Sequence, residues 1–215
     1  MPVAVEELQH AVGTTVDGQW GPKSRAALWS ALQAHNAPVY AALIAYVASR
    51  PTSPDLSSLG IAMSTHLPAY GMIDNTGRLS NFLGQGSHET MGFRYLHEIW
   101  GPTAAQRGYE GRKDLGNVYP GDGHRYLGRG IFQLTGRGNY TAMGKRLNID
   151  LAENPALAET PDVAVLTACE YWQSRGLSAL ADSGQEDAIT RKINGGVNGI
   201  EQRRAYVARA KGVLS

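Results

Sequence analysis

The sequence predicts a mainly α-helical protein, and two observations carry that expectation. Apolar residues recur at helical spacing, as in Ala27, Leu28, Ala31 and Leu32, and again in Leu79, Phe82 and Leu83. The segments holding them open with a proline in the first turn, as at Pro38 and Pro161, or close on a glycine, as at Gly195. One stretch, residues 131–135, reads instead as a short buried strand. With 215 residues, 42% of them hydrophobic, the chain can bury a proper core as one ordinary domain plus a small appendage.

Residues 1–50 are expected to form that appendage. Val5, Leu8 and Val12 mark a first helix, the turns Asp17-Gly18 and Gly21-Pro22 follow, and a second helix carries Ala27 to Leu32. A third helix spans residues 36–50. Residues 51–60 have the composition of a linker, with Pro51 and Pro54 biasing them toward an extended path. Residues 61–215 make the main domain. A helix near residues 56–70 leads into it, and Asn75 or Thr76 caps the next, which runs to His88-Glu89. Residues 100–125 are glycine-rich and aperiodic, long for a connection, as functional or mobile loops are. Helices follow over residues 141–147, 160–172, 177–181, 187–194 and 202–213.

Charge and cysteine content exclude several classes. Twenty basic residues against nineteen acidic give +1, so no electrostatic footprint argues for nucleic acid. The basic residues do gather in residues 107–146 and 191–211, which could suit an anionic polymer, although solvated surface is the plainer reading. Cys169 is the single cysteine, so no internal disulfide forms, and its apolar surroundings suggest an inert buried thiol. No apolar run reaches membrane-spanning length, and the first residues lack the charged-then-apolar pattern of a leader. A chain made in the cytoplasm, without stable membrane insertion, is expected.

Residues 81–100 hold the candidate reaction centre. Glu89 and Glu98 are each preceded by a histidine, His88 and His97. Glycosidic hydrolysis needs one carboxyl to protonate the leaving oxygen and a second to activate water or attack the sugar. On one unbroken helix, residues nine apart face opposite sides with about 13 Å of rise between them. A cooperating pair therefore requires the helix to stop, and Gly92 is the obvious place. Glu89, at a helix C-terminus and near Phe82 or Phe93, sits where a carboxyl tends to keep its proton, which suits a general acid. The plain alternative is two solvated surface carboxylates. Gln133 and Thr135 would share one face of an extended segment and could hold an acetamido sugar and a water, while a left-handed cap at Gly195 would free the Asn194 amide.

Two resemblances sharpen this reading. The string DGQWGPKS at residues 17–24 resembles small peptidoglycan-binding repeats, which implies wall binding with Asp17 and Trp20 in the signature. From residue 82 onward the chain resembles family 19 glycoside hydrolases, the chitinase class that includes phage endolysins. The matching strings are SHETMG at residues 87–92, YLGRGIFQLTGRGNY at residues 126–140 and INGGVNG at residues 193–199. The resemblance implies a lysozyme-like, two-lobed helical fold and hydrolysis by inversion. It implies Glu89 as general acid, Thr135 as holder of the attacking water, and Gln133, Asn139 and Asn194 as sugar contacts, with His88 beside the acid. Arg203, a further sugar contact, matches an arginine following the NGG motif, although Arg204 is adjacent. Glu98 fits the short-spaced base of phage and bacterial members, with Glu110 the competing candidate at plant-like spacing.

The expected function is an endolysin: a monomeric enzyme cutting β-1,4 bonds of bacterial peptidoglycan, without cofactor, after a membrane-permeabilising partner releases it. A chitinase or a secreted antibacterial effector remain open readings. A zinc peptidase or amidase built on His88, His97 and His124 is a further alternative, although the spacing is not that of His-Glu-x-x-His. A wall-binding protein without catalysis is the last.

Overall fold

Helix signals in the sequence become twelve α-helices in the computed structural model, which describes residues 5–215. The leader expectation rests partly on residues 1–4, which lie outside the described residues. Near the start are α1 (Val5–Ala11), α2 (Pro22–Gln33) and α3 (Ala37–Ala48). Helix α3 is buried on nearly every face, from Val39 through Ala45 and at Val47, as a helix apolar all round must be.

Helix α4 (Pro54–Ala69) overturns the linker at residues 51–60. Only the residues before Pro54 are extended. Ser53 caps the helix by accepting a hydrogen bond from the Leu56 amide, and Pro54 occupies the first turn, where a missing N–H has no cost. Gly60 had the look of a linker glycine, but a β-carbon there would lie 2.7 Å from the Ala37 carbonyl and 2.8 Å from the Ala41 β-carbon. The glycine lets α3 and α4 touch. Proline and glycine thus mark a helix start and a helix crossing, two uses that composition does not separate from a linker.

Next come α5 (Thr76–Glu89), α6 (Ala104–Arg107), a 3₁₀ turn at Lys113–Leu115, and α7 (Asp122–Arg125). Asn75 caps α5, accepting from the amides of Gly77 and Arg78 at 2.6 and 3.3 Å. The aperiodic stretch is ordered by its polar groups. Buried Asn117 donates to the Tyr109 carbonyl and accepts from the Arg137 amide, and Asp122 takes a two-pronged ion pair from Arg137. The chain ends with α8 (Arg137–Leu147), a 3₁₀ turn at Pro155–Glu159, α9 (Pro161–Ser174), α10 (Leu177–Asp182), α11 (Glu186–Asn194) and α12 (Ile200–Leu214).

The strand expected at residues 131–135 does not form. Gln133 has φ +50°, residues 130–133 make a turn, and pairing is limited to single bridges, His97 with Arg129 and Arg129 with Leu134. The apolar pair Ile131 and Phe132 packs on the core as a loop.

Two apolar centres give the molecule two lobes. The large one is built around Leu43, Met63, Phe82, Trp172 and Val213, and the small one around Tyr126, Tyr140, Met143 and Leu151. Helix α9 serves both, with Val165 and Ala168 in the first and Val163 in the second. The division at residues 51–60 into a module and a catalytic domain is not a structural one. Leu8, Leu28 and Leu32 belong to the large centre, and the indoles of Trp20 and Trp29 donate to the Val213 and Leu214 carbonyls, each at 2.9 Å.

Candidate active site

Glu89 is the last residue of α5, and the chain reverses immediately after it. Thr90 accepts from the Phe93 amide at 2.7 Å and donates to the Gly86 carbonyl at 2.6 Å. Met91, Gly92 and Phe93 have φ of +51°, +76° and +59°. The expected stop at Gly92 is therefore part of a three-residue left-handed turn, in which Met91 and Phe93 carry strain that only surrounding contacts can hold. Arg50 supplies one by donating to the Gly92 carbonyl at 3.0 Å.

That reversal sends Glu98 into the small ladder, where its amide donates to the Gly128 carbonyl at 2.8 Å. Its carboxylate is oriented at both oxygens. Oε1 accepts from Gln106 Nε2 at 3.0 Å and from the Tyr109 hydroxyl at 3.3 Å, and Oε2 accepts from the Gly128 amide at 3.3 Å. Burial, then the charge of Glu98, raise the Tyr109 pKa and keep the phenol a donor. Gln106 also closes a capping box with Thr103 at the start of α6. One side chain thus fixes both the short helix and the carboxylate.

Gly128 is the hub of this arrangement. A β-carbon there would lie 2.6 Å from Gln133 Oε1, 3.3 Å from Thr135 Oγ1 and 3.4 Å from Glu98 Oε2. Only a residue without a side chain lets a carboxylate, a hydroxyl and an amide oxygen converge on this backbone. Gln133 and Thr135 meet there through the turn rather than along a strand, held by bonds from Gln133 Nε2 to the Gly130 carbonyl and from Thr135 Oγ1 to the Gln133 carbonyl. Asn139, exposed in the first turn of α8, donates to the Thr135 carbonyl at 2.7 Å. Glu110, by contrast, is spent on backbone: its two oxygens accept from the amides of Gly121 and Gly123 at 2.7 and 2.9 Å.

Glu89 is held by Arg203, whose Nη2 lies 2.5 Å from Oε1. Arg203 is 1% exposed and donates further to Gln85 Oε1 and to the Asn198 carbonyl, while Gln85 Nε2 donates to Thr190. This corrects the expected sugar contact at Arg203, because a guanidinium so enclosed reaches the carboxylate and not a bound chain. The register is also decided: Arg204 faces solvent and pairs with Asp187 and Glu201. Gln85 was missed, although it lies four residues before Glu89 on the same helix face.

His88 packs its ring on Gly199, where any β-carbon would fall inside the imidazole. Burial, then the Arg203 charge, lower its pKa, so the ring is neutral at physiological pH. Asn194 ends α11 beneath a left-handed Gly195 at φ +73°, and its Nδ2 is buried without a hydrogen-bond partner. The three histidines drawn as zinc ligands are apart: His97 faces Glu159 at 3.3 Å and His124 lies edge-on to Trp100. No three His, Cys, Asp or Glu side chains among the described residues converge as ligands. Asp17 and Trp20 are engaged within the fold, the first accepting from Gln9 and from the Gln19 amide, the second donating to Val213. Cys169 is buried, and burial pushes its thiol far up.

Each carboxylate neighbours the lining of one cavity. Tyr171 on its wall has a pKa raised by burial first, lowered by Arg175 and raised again by the charge of Glu89, while Gln133 and Thr135, also in the lining, adjoin Glu98 at Gly128. Two carboxylates beside one cavity of a helical, two-lobed fold suit the cleavage of a glycan.

Comparison with known proteins identifies the family. Residues 59–181 match glycosyl hydrolase family 19, chitinase class I, and the chain belongs to that family. It is 41% identical over 99 residues to a glycosyl hydrolase family 19 domain-containing protein of Haemophilus influenzae, covering 46% of this chain and 48% of that one. It is 31% identical over 186 residues to an acidic endochitinase of Petunia hybrida, covering 72% and 70%. The chain thus spans about half the length of the first relative. Chitinase C of Streptomyces griseus superposes with a TM-score of 0.60 at 25% identity, over 71% of this chain and 82% of that one. The helical fold is the lysozyme-like one of these chitinase structures.

Proposed function

We propose that the protein hydrolyses β-1,4-glycosidic bonds of bacterial peptidoglycan by single displacement with inversion. Glu89 is the general acid. Arg203 holds its Oε1, which leaves Oε2 to carry a proton to the glycosidic oxygen. Glu98 is the general base, and its water sits in the space beside Gly128, aided by Thr135, while Gln133, Asn139 and Asn194 contact the sugars. His88 and Arg203 position the acid rather than the chain. One observation carries this reading: the convergence of Glu98, Thr135 and Gln133 on Gly128. Glu98 is favoured over Glu110 because its carboxylate adjoins Thr135 and Gln133 at Gly128, whereas Glu110 is turned to the amides of Gly121 and Gly123.

The biological setting we infer is that of an endolysin, a monomer made in the cytoplasm that reaches the wall once a membrane-permeabilising partner opens the way. Short acid-to-base spacing and the DGQWGP string support it. No helix among the described residues is long and apolar enough to cross a membrane. A second reading, cleavage of chitin, is favoured by the endochitinase and chitinase names of the relatives. Mass spectrometry of wall digests separates the two. New reducing sugar ends are expected from purified peptidoglycan, and Glu89→Gln is expected to lose at least about 10²-fold in rate. Intact glycan strands after digestion, or a fully active Glu89→Gln, would contradict the assignment.

A further inference from the structure

The cleft beyond Thr135 carries a charge imbalance that acid–base chemistry does not require. It encloses about 460 Å³ between α8, α9 and the turn at residues 132–135. Three arginines line it, Arg129, Arg146 and Arg175, and no aspartate or glutamate does, although the whole chain has twenty basic residues against nineteen acidic. Arg129 is committed, donating to the Arg125 carbonyl and to the Tyr140 hydroxyl beside Glu159. The other two are held more loosely. Arg175 lays its guanidinium over the Tyr171 ring at 4.2 Å, and its side chain has no carboxylate partner among the described residues. Stacking uses the face of a guanidinium and leaves its N–H edge to a further acceptor. Arg146 touches Glu170 through a single contact at 3.3 Å.

Chitin offers these arginines no anionic group, since every substituent on it is neutral. Peptidoglycan does, because alternate sugars carry a lactyl ether extended by a peptide with free carboxylates. We infer that this cavity receives that acidic lactyl-peptide substituent, with the edge of Arg175 and the loosely held Arg146 binding its carboxylates. The sugar chain then lies across Glu89 and Glu98, and each arginine is a specificity-determining residue. The inference rests on the proposed peptidoglycan activity and goes beyond it by assigning the substituent and its receptor. The cavity adjoins the reaction centre: its Gln133 and Thr135 neighbour Glu98 at Gly128, and its Tyr171 feels the charge of Glu89, so a substituent of a sugar bound there is within reach.

The test uses the full chain, a double variant R146Q/R175Q, and two forms of purified peptidoglycan. One form is native. The other has its carboxylates converted to neutral amides with carbodiimide and ammonia. On native wall the double variant is expected to release reducing ends about 5- to 10-fold more slowly, as losing two partly exposed charge contacts implies. The wild type is expected to lose a similar factor when the wall is amidated, whereas the variant loses little more. Added salt should slow the wild type more steeply than the variant. R146E, a change at a side chain 54% exposed, should deepen the loss on native wall and leave the rate on amidated wall close to that of the double variant. Equal deficits of the double variant on native and amidated wall, or no deficit on either, would overturn the assignment. If the wild type cuts neutral chitin oligomers and leaves native wall whole, the proposed function fails first, which is a distinguishable result.

Discussion

At the scale of single residues, the site depends on a few side chains that serve two ends at once. Arg203 satisfies Gln85, the Asn198 carbonyl and Glu89 together, and Gln106 both caps α6 and aims Glu98. His88 lies beside Arg203 and against Gly199, an environment that penalises the imidazolium. Its folded-state pKa lies below the ordinary histidine value of about 6.5. The unfolded chain then takes up this proton first as pH falls, so the stability His88 contributes is complete above about 6.5 and is lost toward its depressed native pKa. Urea titrations at pH 7 and pH 5 should show a smaller fall in stability for His88→Gln than for the wild type. An unchanged fall would remove His88 as a source of the acid sensitivity. Much of this level was legible. The two carboxylates, Gln133 and Thr135 can be named from spacing and motif. The partners of Glu98 could not, because Gln106 and Tyr109 arrive from a stretch without periodicity. The role of Arg203 also stayed hidden, since a sequence motif does not distinguish an arginine that touches sugar from one buried behind the acid.

At the scale of elements, the decisive piece is the reversal after α5. Residues 91–93 take left-handed backbone together, and only Gly92 does so without steric cost. Gly92→Ala would place a β-carbon 3.3 Å from that of Ala48 on a residue at φ +76°. A loss of about 1–2 kcal/mol is expected, with a larger proportional loss of turnover than of substrate affinity, because the two carboxylates shift relative to each other. Chemical denaturation and steady-state kinetics would measure both, and a neutral result would mean that the turn does not fix their spacing. This turn is legible in the nine-residue spacing and a glycine, whereas residues 51–60 and 131–135 fold differently from what their composition suggests. In the first, proline and glycine mark a capped helix and a close helix crossing. In the second, apolar residues that suit a buried strand pack equally well in a turn with Gln133 at positive φ.

At the scale of the whole molecule, the first three helices are part of the larger lobe rather than a separable binding module. Leu8, Leu28 and Leu32 lie in the common core, and both Trp20 and Trp29 bond to the end of α12, the helix that also carries Arg203. Deleting residues 1–35 should therefore unfold or aggregate the protein. A separable module would instead leave a folded, active enzyme with weaker wall binding. Circular dichroism and thermal melting of the truncated chain distinguish the two, and a cooperative transition near that of the full chain would contradict the integrated core. The DGQWGP string was legible as two turns and an aromatic, but its packing partner lies almost two hundred residues away, and local pattern carries no such information.

The central claim is that Glu89 and Glu98 act from opposite sides of one sugar bond, with water delivered beside Gly128. Proton NMR of the first product released from soluble peptidoglycan strands tests it most directly. Attack of water on the face away from the leaving group predicts that the α-anomer appears first and then equilibrates. An initial β-anomer would mean a covalent intermediate and would contradict the assignment of Glu98 as a base.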